Sequence, residues 1–240
     1  MSEGYIRWVR RELARHGLRR PIWDMEARSE PRLVFNRLVQ FHPQLVVPNG
    51  RAVLRALQRP GSPRHASAVR WYRAEQARVL TKVFVCRFAA GFEKVFMGMP
   101  HDWDRSLARF TVANPYIGLA SADGRPWPAF HAMRLLVQYL DHFRTARRMR
   151  APEGVALYRF DFANNRPAVW VAWLEEQQPR SLDDPLPVRA VTLPGISGTV
   201  RVLTIPTEGD QTTELHMGSR GAVLRLKLSP TPVLIVPAPR

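Results

Sequence analysis

The sequence predicts an α/β segment over residues 1–148 followed by an all-β segment, an antiparallel β-sandwich, over residues 149–240. Three observations carry this. Before residue 148, apolar residues at three- and four-residue steps alternate with short apolar runs, the helix–strand–helix–strand–helix order of a parallel layer. From Gly154 onward the runs shorten to strand length, and turn pairs such as Asn164-Asn165 and Pro194-Gly195 separate them. Apolar residues make up 45% of the 240 and charged residues 23%, the composition of a globular chain rather than a disordered one.

The elements follow in order. Tyr5, Ile6, Trp8, Val9, Leu13 and Leu18 recur at helical steps among arginines, and Gly17 stands where a helix stop is expected. Pro21 to Met25 reads as a short strand that leads into Glu26-Ala27-Arg28. Prolines and glycines make residues 29–65 loop-like, interrupted by a short helix from Arg51 to Gln58. A long helix from Ser67 to Ala90 carries Val69, Tyr72, Leu80, Phe84 and Phe88, and Gly91 ends it. Phe92 to Met99 is an apolar run of strand length, followed directly by His101-Asp102-Trp103-Asp104. An Asp123-Gly124 turn precedes a further amphipathic helix, Pro126 to Phe143. Six strands are then expected: 155–162, 168–174, 188–193, 199–205, 222–228 and 233–236.

Several classes of function lose support. No run of about 18 uncharged apolar residues is present, so no membrane-spanning helix is expected. Met1-Ser2-Glu3-Gly4 lacks the opening of a signal peptide, and a cytoplasmic location is the expectation. Cys86, the single cysteine, allows no internal disulfide and no cysteine-built metal site; it reads as a core residue of the long helix. The seven histidines show no paired-ligand spacing, and no glycine-rich phosphate loop occurs, so no metal and no cofactor are expected. The net charge is +16, and only three of the 36 basic side chains are lysines. The arginines spread from Arg7 to Arg240 without a basic tail, which fits background arginine usage better than a nucleic-acid face. No helix-turn-helix, RNA-recognition or zinc-finger pattern accompanies them.

Strand ends in parallel α/β layers carry functional groups on the following loops. Here those ends bear carboxylates: Glu26 after the first strand, Asp102 and Asp104 after the second. Paired carboxylates are what glycosidic bond cleavage requires, one as nucleophile or base and the other as proton donor. The alternative is that each acid caps a helix or pairs with one of the many arginines.

A resemblance adds to this. Ile22-Trp23-Asp24-Met25-Glu26 resembles the seventh strand of the (β/α)8 retaining glycosidases of the cellulase and xylosidase clan, where a tryptophan three residues ahead of a glutamate leads into the nucleophile. Ala74-Glu75-Gln76-Ala77 lies in a helix similar to the one that follows there, and Phe88 to Phe96 resembles its passage into the eighth strand. Gly118-Leu119 and Asp123-Gly124-Arg125-Pro126-Trp127-Pro128-Ala129-Phe130 are similar to the stretch joining that strand to the last helix.

The resemblance spans nearly the whole chain but only the C-terminal portion of the family's length. It implies an incomplete TIM barrel, its last two strands and helices, followed by the family's β-sandwich. It places Glu26 as nucleophile and His101, Asp102 and Trp103 on the substrate-binding rim. Alternation of strand side chains puts Trp23 in the core rather than on a sugar platform, and the polar loop around Trp103 makes it the better stacking candidate. The implied ligand is carbohydrate. The family's proton donor is a glutamate after an asparagine, and no Asn-Glu pair occurs in this sequence. Met97 stands where the family has an aromatic floor. The expectation is therefore a glycosidase-like chain inactive alone, completed by an N-terminal half-barrel protein or by self-association through its open sheet. The alternative is a non-catalytic carbohydrate- or polyanion-binding protein.

Overall fold

In a computed structural model the chain combines helices with parallel and antiparallel sheet, and residues 3–27, 29–31, 50–102, 116–219 and 221–239 are described. The first helix is α1 (Glu3–Arg15), followed by β1 (Trp23–Ala27), α2 (Gly50–Gln58), α3 (His65–Ala89), β2 (Lys94–Met97) and α4 (Pro128–Leu140). Eight strands complete the chain: β3 (Phe143–Arg148), β4 (Val155–Phe162), β5 (Val169–Leu174), β6 (Arg189–Pro194), β7 (Thr199–Thr204), β8 (Thr213–Gly218), β9 (Val223–Leu228) and β10 (Val233–Pro237).

Helix ends follow local chemistry. Gly17 takes φ +66° just past α1, where a side chain would be strained. Past α3, Gly91 at φ +96° donates to Phe88 O at 2.9 Å and Phe92 donates to Arg87 O at 3.1 Å. This is the paired bonding of a Schellman stop. α4 ends at Leu140, short of the expected Phe143. His142 turns the backbone at φ 59°, and Phe143 already belongs to β3.

The strands form three sheets. β1 and β2 pair in parallel, with Trp23 opposite Lys94, Asp24 opposite Val95 and Ala27 opposite Met97. Six strands in the order β3-β4-β5-β10-β7-β8 make an antiparallel sheet, and β6 pairs antiparallel with β9. Alternation sorts the central strands between two cores. Ala156, Tyr158, Phe160, Val171 and Trp173 face α3 and α4, whereas Val155, Leu157, Trp170 and Ala172 face β6 and β9. The six-stranded sheet is thus the middle of three layers, and β5 is buried along its whole length. Two of its strands were not expected from sequence: β3, which ends at the expected division near residue 148, and the largely exposed edge strand β8.

α3 is held against the sandwich by charges. Glu75 accepts from Arg78 at 2.6 Å and from Arg180 at 2.7 Å; Arg180 also pairs with Glu176, which Lys82 approaches at 3.3 Å. Arg78 Nε donates to Thr231 Oγ1 at 2.8 Å. Burial lowers the Arg78 and Lys82 pKa values, and the facing glutamates oppose that shift. No helix among the described residues is long and apolar enough to cross a membrane.

Candidate functional site

The site is built where β1 and β2 end. Their parallel pairing puts both carboxyl ends on one edge, so Glu26 and the Gly98–Asp102 segment emerge side by side. The register slips by one residue between Asp24 and Ala27, so β1 carries an extra residue there. Met25 and Glu26 are consequently both exposed, where strict alternation would bury one of them. Asp24, buried beneath them, forms an ion pair with Arg87 of α3 at 2.8 Å, and its Oδ1 accepts from the Glu26 amide at 3.2 Å.

Gly98 makes room for Glu26. A Cβ at residue 98 would lie 2.8 Å from Glu26 Cγ, closer than carbon atoms pack. On the outward face of the pair, Trp23 and Phe96 meet with ring centroids 6.1 Å apart, and the Lys94 ammonium sits 4.7 Å from the Trp23 centroid. Trp23, expected in the core, is 45% exposed because it stands opposite the face that α3 covers.

Asp102 organises the second half of the site. Arg73 of α3 forms a short charge-assisted bond to its Oδ2, Trp127 Nε1 donates to the same oxygen at 2.9 Å, and the Gly118 amide donates to Oδ1 at 3.0 Å. Burial pushes the Asp102 carboxyl up, and Arg73 with the other donors pulls it back. Burial likewise lowers the Arg73 guanidinium, which Asp102 opposes. Arg73 also donates to Tyr116 O at 2.5 Å and lies 4.3 Å from the Trp127 ring centroid. Gln76, one turn along α3, donates to Ile117 O at 2.9 Å. Beneath this knot the backbone is in close contact: a Cβ on Gly118 would lie 2.0 Å from the His101 carbonyl carbon.

The expected site residues therefore separate. Glu26 and His101 are exposed near one strand edge. Asp102 follows His101 but is turned inward, its carboxylate occupied by Arg73, Trp127 and Gly118. Trp103 and Asp104 lie outside the described residues. Sequence reading missed Arg73 and Gln76 as partners of the loop; the available signal was polar side chains at three-residue spacing on a helix otherwise patterned for burial. Cys86, expected in the core, is exposed, with Sγ 3.4 Å from Tyr158 Oη. Among the described residues no group of three or more His, Cys, Asp or Glu side chains is arranged to hold a metal ion.

No protein-family model matches the sequence, and a search of curated proteins found no match. Solved structures overlap it in part. A family 39 glycoside hydrolase from Bacteroides cellulosilyticus WH2 aligns at 15% identity and a TM-score of 0.49, over 69% of this chain and 31% of that one. A family 30 endoxylanase from Clostridium papyrosolvens C71 aligns at 11% identity and TM-score 0.46, over 68% of this chain and 38% of that one. A family 44 xyloglucanase from Paenibacillus polymyxa aligns at 10% identity and TM-score 0.41, over 99% of this chain and 50% of that one. This chain spans half or less of the length of each.

Proposed function

We propose that this chain is the C-terminal part of a retaining-glycosidase-like protein: the residues through α4 as the last two strands and helices of a barrel, and β3 onward as its β-sandwich. Glu26 is the nucleophile of this reading. Its carboxylate would attack the anomeric carbon and form a glycosyl ester, and the proton donor would come from polypeptide outside this sequence. His101 and Trp103 are the sugar-contacting rim of this reading, with Asp102 fixing the backbone next to His101. The observation that carries the reading is the placement of Glu26 at the carboxyl edge of a parallel strand pair, against Gly98, with the post-β2 segment beside it.

Without its acid the site would lose about 10²–10⁴-fold in rate on ordinary substrates. The test separates the two groups. Activated 2-fluoro-glycosides need a nucleophile but little help from a proton donor, so the protein is incubated with several and analysed by mass spectrometry. An adduct mapped to Glu26 and missing in Glu26→Gln is the expected result. A folded protein that forms no adduct with any sugar would sink independent nucleophilic chemistry.

A second reading, polyanion binding, is favoured by one observation. α1 presents Arg7, Arg11 and Arg15 at four-residue steps, all exposed, on a chain of net charge +16. Affinity that falls steeply with salt would support this reading, whereas sugar stacking is nearly indifferent to salt.

A further inference from the structure

Between β2 and β3 lies a cavity of about 930 Å³ that the proposed reaction does not use. Its walls include Lys94–Phe96 of β2 and Phe143–Ala146 of β3, and nothing from β1 or β4. It therefore lies against the side of β2 away from β1 and the side of β3 away from β4. Among the described residues neither of those edges is paired. The floor is apolar: Phe84, Phe88, Phe92, Leu136 and Leu140. A two-stranded parallel sheet is a poor unit in water, and an open edge presents unspent N–H and C=O groups.

From this we infer that the cavity is a docking groove for an extended strand of a second polypeptide, one that is acidic beside its apolar residues. The inference rests on the barrel-fragment reading and names where that barrel's remaining part attaches. Only an extended backbone can pair with flanking strand edges while alternate side chains fill a floor of phenylalanine and leucine. The partner's charge follows from the rim. Arg10, Lys94 and Arg144 outnumber Glu93 and Asp141 around the groove. A second copy of this chain would bring another +16 to the same surface, which disfavours self-pairing at moderate ionic strength.

The probe is a fluorescent synthetic peptide of alternating valine and threonine flanked by glutamates, with a lysine-flanked version as control. The expected result is saturable binding of the acidic peptide to the full chain. Hydrogen-exchange protection should appear at residues 94–97 and 143–146. The double variant Lys94→Glu, Arg144→Glu should weaken that binding by about tenfold, as two rim charge contacts together would. Arg225→Glu, on the exposed face of β9, should leave it unchanged. The inference is overturned if neither peptide protects those amides or if the lysine-flanked peptide binds equally well. It is overturned also if the same amides become protected on raising protein concentration alone, which would assign the groove to a second copy. An absent adduct at Glu26 would defeat the glycosidase reading and leave this result standing, because exchange reports strand pairing and not chemistry.

Discussion

Glu26 and Gly98 fit together across the parallel pair so closely that a Cβ on residue 98 would stand 2.8 Å from the Glu26 Cγ. The bulge in β1 exposes the glutamate, and the missing side chain on the neighbouring strand leaves it room.

Gly98→Ala is expected to displace the Glu26 side chain while the fold persists. Overpacking of this kind costs about 1–3 kcal/mol. Urea unfolding should show a loss in the lower part of that range, since Glu26 is exposed and can swing away. If Glu26 forms glycosyl adducts in the parent protein, their rate should drop in the alanine variant. An unchanged rate would show that the close fit does not position the carboxylate.

Asp102→Asn removes the charge opposite Arg73 and keeps an acceptor for Trp127. The pair is buried, with side chains 4% and 10% exposed, so the stranded guanidinium should cost about 3–5 kcal/mol. Denaturant midpoints measure the loss. Hydrogen exchange should show the Asp102 amide, now bonded to Ala120 O at 2.7 Å, opening along with it. A stability change within error would mean that the Arg73–Asp102 pair does not hold the loop.

Burial raises the phenols of Tyr72 and Tyr158 far above their usual value near pH 10. For Tyr158, the bond to Cys86 adds to that shift. A raised folded-state pKa means the native state retains protons that the unfolded chain releases. The stability linked to these groups is therefore complete below about pH 10 and declines as pH rises beyond it. Tyrosinate absorbance should show Tyr72 and Tyr158 untitrated until the protein unfolds. Full titration of all five tyrosines in a folded sample would contradict the burial of Tyr72.

Cys86 is expected to react with a bulky disulfide reagent in native buffer, because the residue is exposed despite the apolar spacing around it. One equivalent of released thiolate without denaturant is the predicted count, and none would return Cys86 to the core.

What the sequence disclosed depended on how cleanly one physical signal dominated. The stop at Gly91 was legible because a glycine after a long apolar helix has few other uses, and the β4 and β5 runs because their β-branched and aromatic residues are dense. β3 reads Phe-Arg-Thr-Ala-Arg-Arg and suggests no strand by itself; the expected helix takes in its first residue, Phe143, and only pairing with β4 makes the rest a strand. β8 is exposed along most of its length and so carries no burial pattern to read. Glu26 at a strand end was visible from spacing alone. The inward turn of Asp102 was not, because its partners Arg73 and Trp127 come from positions 29 residues before it and 25 after.

The doubly covered central sheet has a consequence for dissecting the molecule. Tyr158, Phe160, Val171 and Trp173 have α3 and α4 as their cover, so cutting the chain near residue 148 would not release a self-sufficient module. It would strip one side from β4 and β5 and set a broad aromatic surface against water, while the cut helices lost the floor they lie on. The two halves should therefore melt together in a single calorimetric transition, and evolution could not shuffle the sandwich onto another protein without also carrying a helical layer to roof it.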